Sequence, residues 1–191
     1  MRYLIGDLSG IRVEGYRGMD RYGGLCPSQP FDKAFLDRME VYCACAGLEE
    51  EAEIIALYEE AVQKGGRDLE LLAIDRPITS DNQHWWLLGY DVGEKNDPED
   101  NLWSAINRHD YYASWEFLKP WEPYLNTYRL FQTKQAAEAF REHYLRASED
   151  PVFEWSTPEQ DALLYQVAAI YLYQNFPQPI TSQLLNAQQR N

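Results

Sequence analysis

Three histidines and three cysteines, set among many carboxylates, are the residues of this 191-residue chain whose types could do acid–base, metal or nucleophilic chemistry. Cys43 and Cys45 are two positions apart. On a helix their side chains would diverge by about 200°, so they cannot close on one metal and read as small core residues. His84, His109 and His143 are scattered and fit no HExxH-type spacing. Only if His84 and His109 converged with Asp91 would a metal or acid–base site form, and that trio defines the enzyme alternative. Asp7 and Ser9 lie in GDLSG, which lacks the Gly-x-Ser-x-Gly elbow and reads as a turn. Gly15, Gly18, Gly23 and Gly24 have no Gly-Lys-Ser/Thr to make a phosphate loop. The expectation is therefore no catalytic residue, no metal set and no cofactor.

What remains suggestive is aromatic and acidic. Tyr111, Tyr112, Trp115, Phe117, Trp121, Tyr124 and Tyr128 crowd a segment in which Pro120 and Pro123 forbid one continuous helix. Tyr and Trp are the side chains that anchor protein interfaces. The chain carries 31 acidic against 17 basic side chains, a net −14, and residues 31–75 alone hold twelve acids against four bases. Such a field repels nucleic acid and anionic membrane and speeds encounter with a basic protein. The expected partner-binding residues are Glu50, Glu53, Asp97 and Asp100 for steering, with Tyr111, Tyr112, Trp115 and Trp121 for holding. An adaptor or a self-assembling homodimer that uses the aromatic segment or the last helix is the second reading.

Hydrophobic residues at 45% and aromatics at 14% exclude a disordered chain and supply a core for one domain. The opening MRYLIGDLSG has no cationic stretch followed by an apolar run, and no stretch approaches the ~20 apolar residues of a membrane span, so a cytoplasmic protein is expected. Three cysteines without zinc-site spacing agree with a reducing compartment.

The elements that must position these residues follow from periodicity. HWWLLGYDVG, His84 to Gly93, is apolar on both faces and reads as a strand inside a sheet, covered above and below. Leu69 to Asp75 is a second strand, expected to pair antiparallel with it across the polar turn 79–83. Arg2 to Ile5 and Ile11 to Val13 read as short strands, 15–30 as an irregular segment, and Leu102 to Asn107 as a helical turn. Helices are expected at 31–46, at 49–64 with Ile54, Leu57, Tyr58, Ala61 and Val62 inward, at 133–147 with Ala136, Ala137, Phe140, Tyr144 and Leu145 inward, and at 158–175. The last rests on Thr157-Pro158-Glu159-Gln160 as a helix start and on apolar residues nearly all round. Together these predict a single α+β domain over 1–176, a small mostly antiparallel sheet covered by about four helices, with a polar tail over 177–191.

Three stretches, LLGYDVGE (87–94), LWSAI (102–106) and YLNTYRLFQTKQAAEAF (124–140), together resemble immunity proteins of bacterial polymorphic toxin systems. In those, a strand ending in Gly-Tyr-Asp-Val precedes a Ser-Ala-Ile/Leu turn and a Leu-Asn-x-x-Gly/x-Leu-Phe segment entering a helix. Here Tyr128-Arg129 stands where Gly would sit more comfortably. The resemblance implies a small cytoplasmic protein that binds and blocks its cognate toxin. The quoted positions look fold-defining and do not carry over as a binding site.

Overall fold

A computed structural model describes residues 2–7, 31–38, 50–66, 69–77, 84–94, 103–104, 106, 115–147 and 165–174. The fold is α+β. Its strands are β1 (Arg2–Asp7), β2 (Leu69–Ile74), β3 (Trp85–Glu94), β4 (Trp103–Ser104) and β5 (Tyr165–Tyr173). Helices are α1 (33–38), α2 (Glu51–Gln63), α3 (Trp115–Leu118) and α4 (Lys134–Ala147). All pairings are antiparallel, in the order β1-β2-β5-β3-β4.

The last strand corrects two expectations. Residues 158–175 read as a helix, whereas Tyr165–Tyr173 is extended and is the centre of the sheet. A run that is apolar all round suits a strand buried on both faces as well as a buried helix, and the Tyr, Val and Ile content of YQVAAIYLY favours the strand. The proposed start at Thr157 lies outside the described residues. β2 and β3 are likewise not neighbours, because β5 inserts between them, pairing Leu72 with Leu172 and Trp86 with the same Leu172 from the other side. β2 and β3 therefore form no hairpin, and the polar run 79–83 lies outside the described residues.

Cross-strand partners share a face, which sorts the core. Tyr3 and Ile5 of β1, Leu69, Leu71 and Ala73 of β2, Tyr171 and Tyr173 of β5, and Trp85 and Leu87 of β3 form one cluster beneath Ile54, Leu57 and Ala61 of α2. Further along the same face, Val92 and Tyr165 join Phe131, Ala137, Phe140 and Tyr144 beneath α4. Leu72, Ile74, Ala168, Ile170 and Leu172 line the opposite face with Leu130. Both helices thus cover one side of the sheet at different ends.

Local chemistry explains the helix starts. The Asp32 carboxylate accepts from the Phe35 backbone N–H at 2.8 Å ahead of α1, and the Thr133 hydroxyl accepts from Ala136 N–H at 3.2 Å ahead of α4. Glu51 and Glu53 occupy the first turn of α2, where carboxylates meet the positive end of the helix dipole. Val62 departs from its expected inward position, being 46% exposed because it falls off the Ile54–Leu57–Ala61 stripe. The expected helical turn at 102–107 begins instead with β4, whose Ser104 is drawn into the ladder opposite Gly93, while Ile106 is helical. Ile11–Val13, 15–30, the start of the second helix at Glu49, and 177–191 lie outside the described residues.

Candidate interaction surface

The three motif stretches, distant in sequence, meet in one place. Asp91 is fully buried, and one oxygen of its carboxylate accepts from the Ser104 hydroxyl at 3.0 Å and from Val92 N–H at 2.8 Å. This ties the GYDV strand to the WSAI segment. The Asn126 side chain donates from Nδ2 to the Leu88 carbonyl at 2.6 Å, while its Oδ1 accepts from Tyr128 N–H at 2.9 Å and Leu130 N–H at 3.1 Å. Tyr90 and Phe131 exchange both backbone hydrogen bonds, at 2.9 and 2.8 Å, so the LNTYRLF turn is stitched to β3.

Gly89 makes that junction possible. It follows a bulge at Leu88 and has φ +153°; a Cβ there would come within 2.8 Å of both the Phe131 carbonyl oxygen and Leu130 Cβ. Only a residue without a side chain lets the turn lie against the strand. At the other end of the turn Arg129 adopts φ +56°, the position where the sequence pattern favours Gly. Its guanidinium pairs with Glu122 at 3.1 Å across the mouth of the loop.

The anticipated holding residues are distributed unequally. Trp121 is half-buried among core aromatics, edge-on to Phe140 at 5.4 Å and Phe131 at 6.1 Å. Its Nε1–H donates to His143 Nδ1 at 2.9 Å, and His143 also stacks on Phe117 at 4.5 Å. Burial, with a lesser contribution from Arg146, lowers the His143 pKa, in keeping with a neutral ring that accepts at Nδ1. Trp115 opens α3. Tyr111, Tyr112, Asp97 and Asp100 lie outside the described residues. Tyr124, singled out in sequence only as one of the aromatic cluster, is 52% exposed and stands 5.9 Å from Trp121 with the rings inclined at 52°.

The steering residues sit at the other end of the helical face. Glu53 is exposed and Glu50 half-buried at the start of α2. Between them Glu51 points inward, taking Arg76 Nε at 2.6 Å, Arg76 Nη2 at 2.9 Å and the Tyr3 hydroxyl at 2.6 Å. Arg76 is only 5% exposed and lies 5.4 Å over the Trp85 ring. Burial raises the Glu51 carboxyl, but hydrogen bonds from Arg76, Tyr3 and Trp85 outweigh it and hold the group below its ordinary value. Burial, and then the neighbouring Glu51, push the Tyr3 hydroxyl well above its own. Sequence reading missed this cluster because its members are 25 and 48 positions apart.

The enzyme trio does not assemble as required. His84 precedes β3 and its Nδ1 bonds the Gln174 carbonyl at 3.0 Å, while Asp91 lies seven residues on, roughly 20 Å along an extended strand. His109 lies outside the described residues. Among the described residues no three His, Cys, Asp or Glu side chains form a metal cluster, and no helix is long and apolar enough to cross a membrane. Comparison with family models, curated proteins and solved structures finds no match to this chain.

Proposed function

We propose that this is a binding protein of the immunity type, which neutralises a cognate toxin by direct contact through an acidic, aromatic-bearing surface. The observation that carries the reading is the convergence of the three resemblance stretches. Gly89 to Asp91, Ser104 and Asn126 to Phe131 are separated in sequence yet form one continuous network of contacts. The acidic end of α2 and the net charge of −14 support a basic partner, because complementary fields speed association and disfavour wrong partners.

Mechanistically, Glu50 and Glu53 would guide the encounter, while aromatic side chains of the 111–124 stretch would supply the desolvated contacts that slow dissociation. Inhibition then needs no chemistry by this chain, only occupation of the partner's working surface.

The test is capture of the tagged protein's partners from its own source, washed at low and high salt, followed by expression of each recovered polypeptide in a host. Growth arrest by one basic polypeptide, relieved when this protein is co-expressed, is the expected result. Recovered polypeptides that are harmless, or arrest that co-expression leaves untouched, overturn the proposal.

A further inference from the structure

We propose that the inclined pair Trp121 and Tyr124 is a receptor for an arginine or lysine side chain presented by a basic protein partner. This rests on the reading above that the partner is basic, and it locates the contact in the 118–132 turn.

Among the described residues only Tyr124 and Val62 are large hydrophobic side chains left exposed. Tyr124 differs from Val62 in what surrounds it. Pro123 beside it is also exposed, and the half-buried Trp121 stands 5.9 Å away at 52°, so the exposed Tyr124 ring and the uncovered part of the Trp121 ring share one corner. Trp121 has already committed its Nε1–H to His143, so only the uncovered part of its ring can meet a ligand. An aromatic face carries negative potential and attracts a cation within about 6 Å of its centroid, tryptophan most strongly.

The corner is held in shape before any ligand arrives. Trp121 N–H donates to Leu118 O at 2.8 Å, Tyr124 N–H to Trp121 O at 2.9 Å, and Gln132 N–H to Tyr124 O at 3.0 Å. Both backbone groups of Tyr124 are therefore bonded. The Arg129–Glu122 pair closes the turn, at the expense of a left-handed Arg129. Strain retained in a turn that also exposes an aromatic ring is the pattern expected of a surface shaped for contact.

Charge selects the class of ligand. The net −14 draws cations and repels anions. Glu122, next to the corner, is engaged by Arg129, and His143 behind Trp121 accepts a hydrogen bond from the indole N–H at Nδ1, so that nitrogen carries no proton of its own. Lys119, exposed two residues before Trp121, carries the same charge as the ligand, so its removal should strengthen binding.

The probe is a nona-arginine peptide, titrated at low and high salt and read by chemical shifts of the Trp121 indole N–H and Tyr124 ring resonances in the wild-type protein. Both signals should move, Tyr124→Ala should weaken binding roughly fivefold, Tyr124→Phe should leave it unchanged, and Lys119→Ala should tighten it. Peptide binding that leaves both signals still, or that is equal in wild type and Tyr124→Ala, overturns the proposal. So does a Tyr124→Ala protein whose only change is its mass in solution, which would assign the corner to a second copy of this chain. A negative peptide result leaves the growth test of the inhibitor reading standing, and a negative growth test leaves the peptide preference measurable.

Discussion

The two ends of the helical face are fastened by opposite means. At one end a buried ion pair, Glu51 with Arg76, joined by Tyr3, fixes the first turn of α2 to β1 and the end of β2. At the other a neutral amide, Asn126, and a side-chain-free Gly89 fasten the 122–131 turn to β3. The first arrangement holds a regular helix, so one bidentate contact at its start adds to the Ile54, Leu57 and Ala61 packing that runs along it. The second holds an irregular segment, and several short-range bonds are needed because no repeating backbone pattern does the work. A charged fastening fails abruptly when one partner is removed. A neutral one loses stability bond by bond.

The largest effect should come from Arg76→Ala, which leaves the mostly buried Glu51 carboxylate without its counter-charge and should cost about 3–5 kcal/mol in denaturant unfolding. A double change to apolar residues, Arg76→Met with Glu51→Leu, should recover much of that loss, because the cost lies in the orphaned charge. If the single and double variants are equally unstable, the ion pair is not what fastens α2.

Gly89→Ala comes next. The new methyl would press on the Phe131 carbonyl and on Leu130 in a backbone conformation that L-residues avoid, costing about 1–3 kcal/mol. Asn126→Ala should cost a comparable ~1–3 kcal/mol through the Leu88 carbonyl and two amides left unbonded. Melting curves combined with amide exchange at Leu130 and Phe131 would show whether the turn loosens locally before the sheet unfolds.

Acid titration separates the two ends by pH. The folded-state pKa of His143 is lowered, so the unfolded chain takes up its proton first, and stability begins to fall as pH drops below about 6.5. Glu51 is also lowered, from an ordinary 4.5, so its contribution is present above that value and is lost as pH falls below it. Two successive declines in unfolding free energy are expected, the upper one absent in His143→Gln and the lower one absent in the Arg76→Met, Glu51→Leu double variant. A single decline common to all three proteins would break the comparison.

The smallest change should be Arg129→Gly. It releases a left-handed conformation worth about 1–2 kcal/mol and gives up the partly exposed Glu122 pair, worth about 0–1 kcal/mol, so stability should hold or rise slightly in a melting experiment. A marked loss would mean that the guanidinium stabilises the turn by more than its strain.

Much of this architecture was legible in the chain itself. Residues at spacings of three and four, Ile54, Leu57 and Ala61 or Ala137, Phe140 and Tyr144, determine which face of each helix is buried, because a 3.6-residue period admits one inward stripe. The apolar faces of 85–92 likewise specify an interior strand, and the acid excess specifies the sign of the surface field. What periodicity could not determine was the state of 165–173, where apolar residues on every side suit a buried helix and a buried strand equally. Pairing decided it, since β2 and β3 leave between them a strand's width that only an extended chain can bond on both sides. Tertiary structure also decided which aromatics are available. Trp121 and Tyr124 are three positions apart and alike in kind, yet the core aromatics and His143 take Trp121 inward and leave Tyr124 outside. Exposure is a property of what packs alongside, and no residue carries that information in its own identity.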